Sequence, residues 1–266
     1  MTEMKHKVDT RGESPAHLAR LLRDARQEGR TLSGGADGPQ LTLPQAYLVQ
    51  DQLTSLHLLA GRRAAGYKLG YTSLVMRRQM GVAEPNFGPL YHDMLVESGV
   101  TVDGLLQPRL EPEIAVVLGE DLWGAGLLLH EVARAVADVR GCLEIVDSVW
   151  RDYRFNVAQN TADGSSAAGV VLGASLGVDP LECHRVSATL AVDGQTVATA
   201  TGTAASGHPL HGLSWLCARL AERGERLRAG DVVITGGMTA AIPLAPGSRV
   251  EGIYDSGVTV SVRRAV

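Results

Sequence analysis

The sequence predicts an α+β protein: a small helical N-terminal part joined to a large strand-rich part with a few packed helices. Three observations carry this. Before Gly61, apolar residues recur at three- and four-residue steps, the period of an amphipathic helix. After Gly61, the apolar runs shorten, fill with Val and Thr, and are punctuated by glycine. Aromatic residues make up only 4% of the 266 positions, so the core must be built from Val, Leu, Ala and Ile. That length suits one domain of good size or two small ones.

Taken in order, residues 1–15 read as a polar tail. Residues 16–29 place Leu18, Leu21 and Leu22 at helical spacing, with Gly29 as a stop. A Gly-rich loop follows. Thr42 then precedes a second helix with Pro44 and Gln45 in its first turn, Leu48, Val49, Leu53, Leu56 and Leu59 at helical steps, and Gly61 past its end. The segments AAGYKLGYTS, LEPEIAVVL, RVSATLAVDGQTVATATG, GDVVITGG and GVTVSVRR read as strands and tight turns, with VDGQ a hairpin turn. HEVARAVADV (130–139), with Val132, Val136 and Val139 on one side, and residues 210–227, ending near Gly230, read as helices. The chain therefore divides into a helical region, 1–62, and a strand-rich domain, 63–266.

Composition excludes several functions. Hydrophobic residues are 45% and charged residues 20%, which is ordinary globular usage and argues against bulk disorder. A net charge of -4 lacks the broad basic footprint of a nucleic-acid binder. No apolar run reaches the roughly 18 residues of a membrane span. The polar N-terminus has no apolar middle of the signal-peptide kind. Cys142, Cys183 and Cys217 are odd in number, far apart and free of a C-x-x-C, as expected of buried thiols in a reducing cytoplasm.

The chemistry concentrates in acidic residues. Glu111 and Glu113 flank Pro112, so in a strand both carboxylates share one face. Pro112 cannot donate to a ladder, which suggests a strand start, an edge or a bulge. Glu144 lies between Leu143 and Ile145, and a buried Glu must pair, protonate or bind a metal. Mg²⁺ or Mn²⁺ would relieve the repulsion between carboxylates set against apolar walls. The pattern alone also fits a solvent-facing edge, and Glu144 alone fits an ion pair.

Other landmarks are polar residues among glycines. Lys68 sits between Gly66 and Gly70, either as a clamp or proton donor or as an edge-strand lysine. NTADGSSAAG (160–169) and ITGGMTAAIPL (234–244) are either anion-facing loops or plain turns. No G-x-S-x-G, G-x-G-x-x-G or P-loop motif occurs. His208 and His211 read as helix-start residues, and nothing singles out His57 or His92.

GYKLGYTS, MGVAEPNFGPLYHDML, LEPEIAVVL, LEIVDS, ADGSSAAGVVLG and GDVVITGGMTAAIPLAPGSRV occur in that order between residues 66 and 250, within a likeness that runs from about residue 40 to the C-terminus. Together they resemble the hydratase/decarboxylase branch of the fumarylacetoacetate hydrolase superfamily. The resemblance implies a mixed β-sandwich roll with outer helices. It implies one Mg²⁺ or Mn²⁺ held by Glu111, Glu113 and Glu144. It places Lys68, Asp163 and Ser166 in catalysis, and Thr72, Leu90, Thr235, Gly236 and Thr239 around the substrate. Gly164 stands where the family usually has Asn. A His that activates water in the superfamily's C–C hydrolases has no match here.

The implied activity is decarboxylation of an unsaturated 2-oxo dicarboxylic acid such as 4-oxalocrotonate, through a metal-stabilised dienolate. The T-G-G-M-T-A-A loop favours this over 2-hydroxypenta-2,4-dienoate hydration, which is the alternative. A non-catalytic metal-binding partner subunit is the third reading. The resemblance further implies a small-molecule 2-oxo acid substrate and a homo-oligomer, alone or complexed with a related hydratase.

Overall fold

A computed structural model describes residues 14–266; of the polar tail expected at 1–15, residues 1–13 lie outside the described residues, while Ser14 and Pro15 belong to the start of the first helix. Two helices open the fold, α1 (Pro15–Gln27) and α2 (Leu43–Leu59). Both start as their sequences dictate. Ser14 caps α1 through the His17 amide, and Thr42 and Gln45 close a capping box on α2. Leu18, Leu22, Val49 and Leu53 bury one shared face, which also takes in Trp150, Ala158 and Ala162.

The strands that follow are β1 (Ala64–Gly70), β2 (Asn86–Tyr91), β3 (Leu95–Glu97), β4 (Val100–Val102) and β5 (Arg109–Leu118). A short helix, α3 (Leu74–Met80), joins β1 to β2. Next come α4 (Leu129–Arg134), β6 (Val136–Val146), α5 (Val157–Ala162) and β7 (Ala167–Ser175). The chain ends with β8 (Ser187–Val192), β9 (Gln195–Thr201), α6 (Pro209–Ala221), β10 (Val232–Ile234), β11 (Ile242–Pro243), β12 (Arg249–Tyr254) and β13 (Thr259–Arg264).

An eight-stranded sheet runs β2-β1-β10-β5-β6-β7-β3, with β11 also pairing β5; a five-stranded sheet runs β4-β13-β12-β8-β9. Leu143 and Val171 of the first sheet share one apolar core with Leu190, Val250, Val260 and Val262 of the second. Among the described residues, no helix is long and apolar enough to cross a membrane.

Three expectations change. The helix expected over 130–139 stops at Arg134, and Val136–Val146 pairs with β5 along its length. A ten-residue partner strand and the β-branched residues Val136, Val139, Ile145 and Val146 outweigh the four- and three-residue valine spacing. The last helix ends at Ala221, because Gly224 turns the chain with φ +72°. Pro112 lies inside β5 and not at its start or edge. Its carbonyl accepts from the Met238 amide at 2.9 Å, in the gap between the β10 and β11 pairings. A strand residue's N and O point to the same side, so the missing N–H faces a loop and breaks no ladder.

Candidate active site

The pairing of β5 with β6 sets Glu111 directly opposite Glu144, while alternation keeps Glu113 on the Glu111 face. Carboxylate oxygens of all three lie within 4.8 Å of one another. Glu113 and Glu144 are buried. Lys68 reaches the cluster from β1, its Nζ 2.8 Å from Glu144 Oε1 and donating to the Ser165 carbonyl at 3.1 Å. The Gly236 amide donates to Glu113 Oε2 at 2.7 Å. Tyr254 Oη, from the second sheet, lies 2.7 Å from the carbonyls of both Glu113 and Cys142, which ties the two site strands together from behind.

One ammonium does not neutralise three carboxylates. Burial and the Glu144 charge push Glu111 up to about 7. Burial, then Glu144 and Glu111, hold Glu113 well above the usual carboxylate range. Burial alone would lower Lys68, but the surrounding carboxylates outweigh it and the ammonium is held above an ordinary lysine. Glu113 Oε1 and Glu144 Oε2 are buried without a hydrogen-bond partner. A hard divalent cation fits this donor set, which consists of oxygen atoms carrying excess negative charge with lone pairs left over.

Of the cluster, Glu111 and Lys68 line a cavity of about 510 Å³, whereas Glu113 and Glu144 are buried and do not reach its wall. Of the residues expected at the site, Lys68, Thr72, Glu111 and Thr239 line it. Gly236 and Gly237 pass so close that a methyl group on either would overlap Thr72 or the Glu111 carboxylate, respectively. Thr235 is buried behind the wall, its amide and hydroxyl both donating to the Ile114 carbonyl. Leu90 is core, packed with Ala115, Cys142 and Ile234. Asp163 and Ser166 are not brought to the cavity wall. Ser166 donates to Asp163 through its amide at 2.8 Å, and its hydroxyl accepts from Asn160 at 3.0 Å. Gly164, Ser165 and Ser166 all take left-handed φ, and the absent Cβ of Gly164 faces open space. Glycine adopts that left-handed backbone at no steric cost.

Sequence reasoning missed several cavity residues: Tyr71, Arg109, Tyr153, Phe155 and Asn160; Ser165, within the polar segment singled out at 160–169, also lines the wall. Arg109 had a signal, because it precedes Glu111 by two and therefore shares its face. Asn160 had only its place in a polar segment. Asn86, which donates to Asn160 at 3.1 Å and accepts from Ser165 at 3.1 Å, had none.

Residues 90–258 match the fumarylacetoacetate (FAA) hydrolase C-terminal family. The chain is 36% identical over 231 residues to 2-keto-4-pentenoate hydratase of Burkholderia vietnamiensis, covering 85% of this chain and 87% of that one. It is 32% identical over 249 residues to 2-hydroxyhexa-2,4-dienoate hydratase of Comamonas testosteroni, covering 91% and 94%. The solved structure of 4-oxalocrotonate decarboxylase from Pseudomonas putida G7, complexed with magnesium and adipate, superposes with TM-score 0.89 at 32% identity, covering 97% of this chain and 100% of that one. With the match spanning most of the catalytic sheets and these relatives all decarboxylases or hydratases, the chain belongs to the fumarylacetoacetate hydrolase family and is an enzyme of the lyase class.

Proposed function

We propose that the protein decarboxylates an unsaturated 2-oxo dicarboxylic acid of the 4-oxalocrotonate type, using Mg²⁺ or Mn²⁺ held by Glu111, Glu113 and Glu144. The observation that carries this is the convergence of three carboxylates around one ammonium, with Glu111 and Lys68 lining a cavity and buried carboxylate oxygens unpartnered. The bound cation supplies Lewis-acid polarisation of a 2-oxo acid. Lys68 supplies positive charge beside the substrate's developing dienolate and a proton for it. Ser165 orients that ammonium through its carbonyl, and Asn86 and Asn160 hold Ser165. Phe155, Val146 and Met238 keep the cavity wall apolar, which strengthens every charge interaction inside it. Thr72 and Thr239 face the substrate. Thr235 and Gly236 place their loop, and Asp163 and Ser166 brace the turn that carries Ser165. Leu90 packs in the core against residues of β5, β6 and β10.

Hydration of 2-hydroxypenta-2,4-dienoate is the second reading, favoured by the 36% identity to a hydratase. Both reactions need the same bound 2-oxo acid head, so one scaffold supports either. The test is to incubate the Mg²⁺-loaded protein with 2-oxo-3-hexenedioate and, separately, 2-hydroxypenta-2,4-dienoate. CO₂ release from the first supports decarboxylation. Formation of a 4-hydroxy-2-oxo acid from the second, without CO₂ from the first, overturns it in favour of the hydratase.

The finer architecture belongs to the same reading. The two sheets with their common core form a sandwich roll, preceded by a helical region at 1–62 whose helices keep their own apolar cluster. Exposed Leu48, Leu58 and Leu59 on α2 support assembly as a homo-oligomer, with or without a related hydratase. The three unpaired thiols fit a cytoplasmic location.

A further inference from the structure

We propose that Arg109 binds the far carboxylate of the substrate and so selects dicarboxylic over monocarboxylic 2-oxo acids. The inference rests on the proposed 2-oxo acid chemistry for the head of the substrate and adds the recognition of its tail.

Arg109 lies at the start of β5, on the face that carries Glu111 and Glu113, and it lines the same cavity. Its guanidinium carbon sits 4.0 Å from the centre of the Tyr153 ring. Among the described residues it makes no hydrogen bond or ion pair, although other partly buried arginines do. Arg26 reaches Asp147, Arg62 reaches Asp93 and Arg223 reaches Asp51. A guanidinium fixed on an aromatic face in a cavity, with its donors unused, is prepared for a planar two-oxygen acceptor.

The spacing agrees. A strand advances about 3.4 Å per residue, so Arg109 and Glu111 stand about 7 Å apart along β5. The chain of a six-carbon diacid has five C–C bonds of about 1.5 Å and spans roughly 6 Å end to end. With the 2-oxo head at the acidic cluster, the far carboxylate falls at Arg109. Val146 and Phe155 line the wall beside Arg109, suiting the intervening carbons. A five-carbon monocarboxylic dienoate puts an uncharged carbon at that place and leaves the guanidinium unpaired, which is the costly outcome.

Decarboxylation breaks the bond to the far carboxyl carbon. CO₂ leaves, and the bonding electron pair passes through the conjugated chain to the C2 oxygen. Negative charge therefore departs from Arg109 as the reaction proceeds, so this ion pair is stronger in the ground state than at the transition state. Arg109 acts on binding and selection, and its removal raises KM without lowering kcat.

The test uses two saturated 2-oxo acids of equal length, 2-oxoadipate and 2-oxohexanoate, which differ only in the far carboxylate. Their affinities are measured by calorimetry on the Mg²⁺-loaded full chain. The wild type is expected to prefer 2-oxoadipate by at least tenfold. Arg109→Met should abolish the preference while holding 2-oxohexanoate within threefold of wild type, and Arg109→Lys should restore part of it. An unchanged 2-oxohexanoate affinity also shows that the variant is folded. The proposal is overturned if the wild type does not discriminate, if the Met variant still does, or if that variant weakens both ligands equally. Because binding is read apart from turnover, absence of CO₂ release would sink the decarboxylase reading while leaving this result intact.

Discussion

Glu111, Glu113 and Glu144 stand on two hydrogen-bonded strands near the middle of a sheet, whereas Asn160 stands on the short helix α5, Ser165 on the turn that follows it and Thr239 on the loop after β10. The strand-borne groups are like charges held together by a ladder that does not let them separate. The latter groups are neutral: Asn160 and Ser165 are satisfied by one another and by Asn86, Thr239 by the Ala240 carbonyl, and their surroundings are shaped by left-handed turns and close glycines. Repulsion can be stored only where the backbone is rigid, and a close fit to substrate is most readily made where it is adjustable. Substitutions in the first region should therefore remove function while relieving the fold. In the second they should perturb function by displacement.

Glu113→Gln should have the largest effect. Turnover of 2-oxo-3-hexenedioate should fall by about 10³-fold or more, because a buried donor to the cation is lost. For the wild type, Mg²⁺ at 100 times its Kd should add about 2.7 kcal/mol to unfolding stability, and this increment should nearly vanish in the variant. In chelator, however, the variant should be more stable than wild type by about 1–3 kcal/mol, since one of three mutually repelling buried carboxylates is gone. Chemical denaturation with and without Mg²⁺ checks both halves. A variant less stable in chelator would show that the carboxylates are not in conflict.

Lys68→Met comes next, with a loss of about 10²–10³-fold in turnover. Its stability effect should oppose that of Glu113→Gln, because removing the ammonium leaves Glu144 buried without its ion-pair partner. Opposite signs for these two neighbours in chelator would be hard to obtain from general damage to the fold.

These two regions also differ in how far the amino-acid sequence exposes them. Glu111 and Glu113 are visible because a strand's two-residue period puts both on one face, and Glu144 because its apolar flanks make burial costly. The pairing that brings Glu144 opposite Glu111 is a long-range fact of register and has no local sign. Leu90 and Thr235 belong to the right motifs, yet their side chains turn into the core, since a motif marks a backbone path more surely than a direction. Asn86 and Ser165 meet only because β2 lies beside the turn after α5, so neither stands out in its own segment. The valines at 132, 136 and 139 mislead for the same reason, as a partner strand captured the last two.

Gly237→Ala tests the loop side by displacement alone. The added methyl would overlap the Glu111 carboxylate, so either the loop or that side chain must move. A shift of about 1 Å in a positioned group costs about 10²-fold in rate. Turnover should fall by roughly 10–100-fold while the Mg²⁺-dependent gain in stability is largely kept. Loss of that gain would mean the loop holds the cation site together, and the contrast between strand-borne charge and loop-borne fit would weaken.

Asp163→Asn should change turnover least, by under tenfold, because Asp163 is not on the cavity wall. Its effect lies in the pH dependence of stability. Burial raises this carboxyl from 3.8 to about 6, against the opposing pull of Arg26 and of hydrogen bonds from Ser166 and Val149. A folded pKa above the unfolded one means that the folded chain holds the proton more tightly. Stability from this group is thus fully present below about pH 4, declines as pH rises, and is lost above about pH 6. Two pKa units correspond to roughly 3 kcal/mol at the upper limit. Asn carries no charge at any of these pH values and still offers an oxygen to the Ser166 amide. The stability of the variant relative to wild type should therefore grow by up to about 3 kcal/mol between pH 4 and pH 7. A difference that stays flat would place the Asp163 proton outside folding, and the turn that carries Ser165 would then owe its shape to the hydrogen bonds of Asn160 and Asn86 alone.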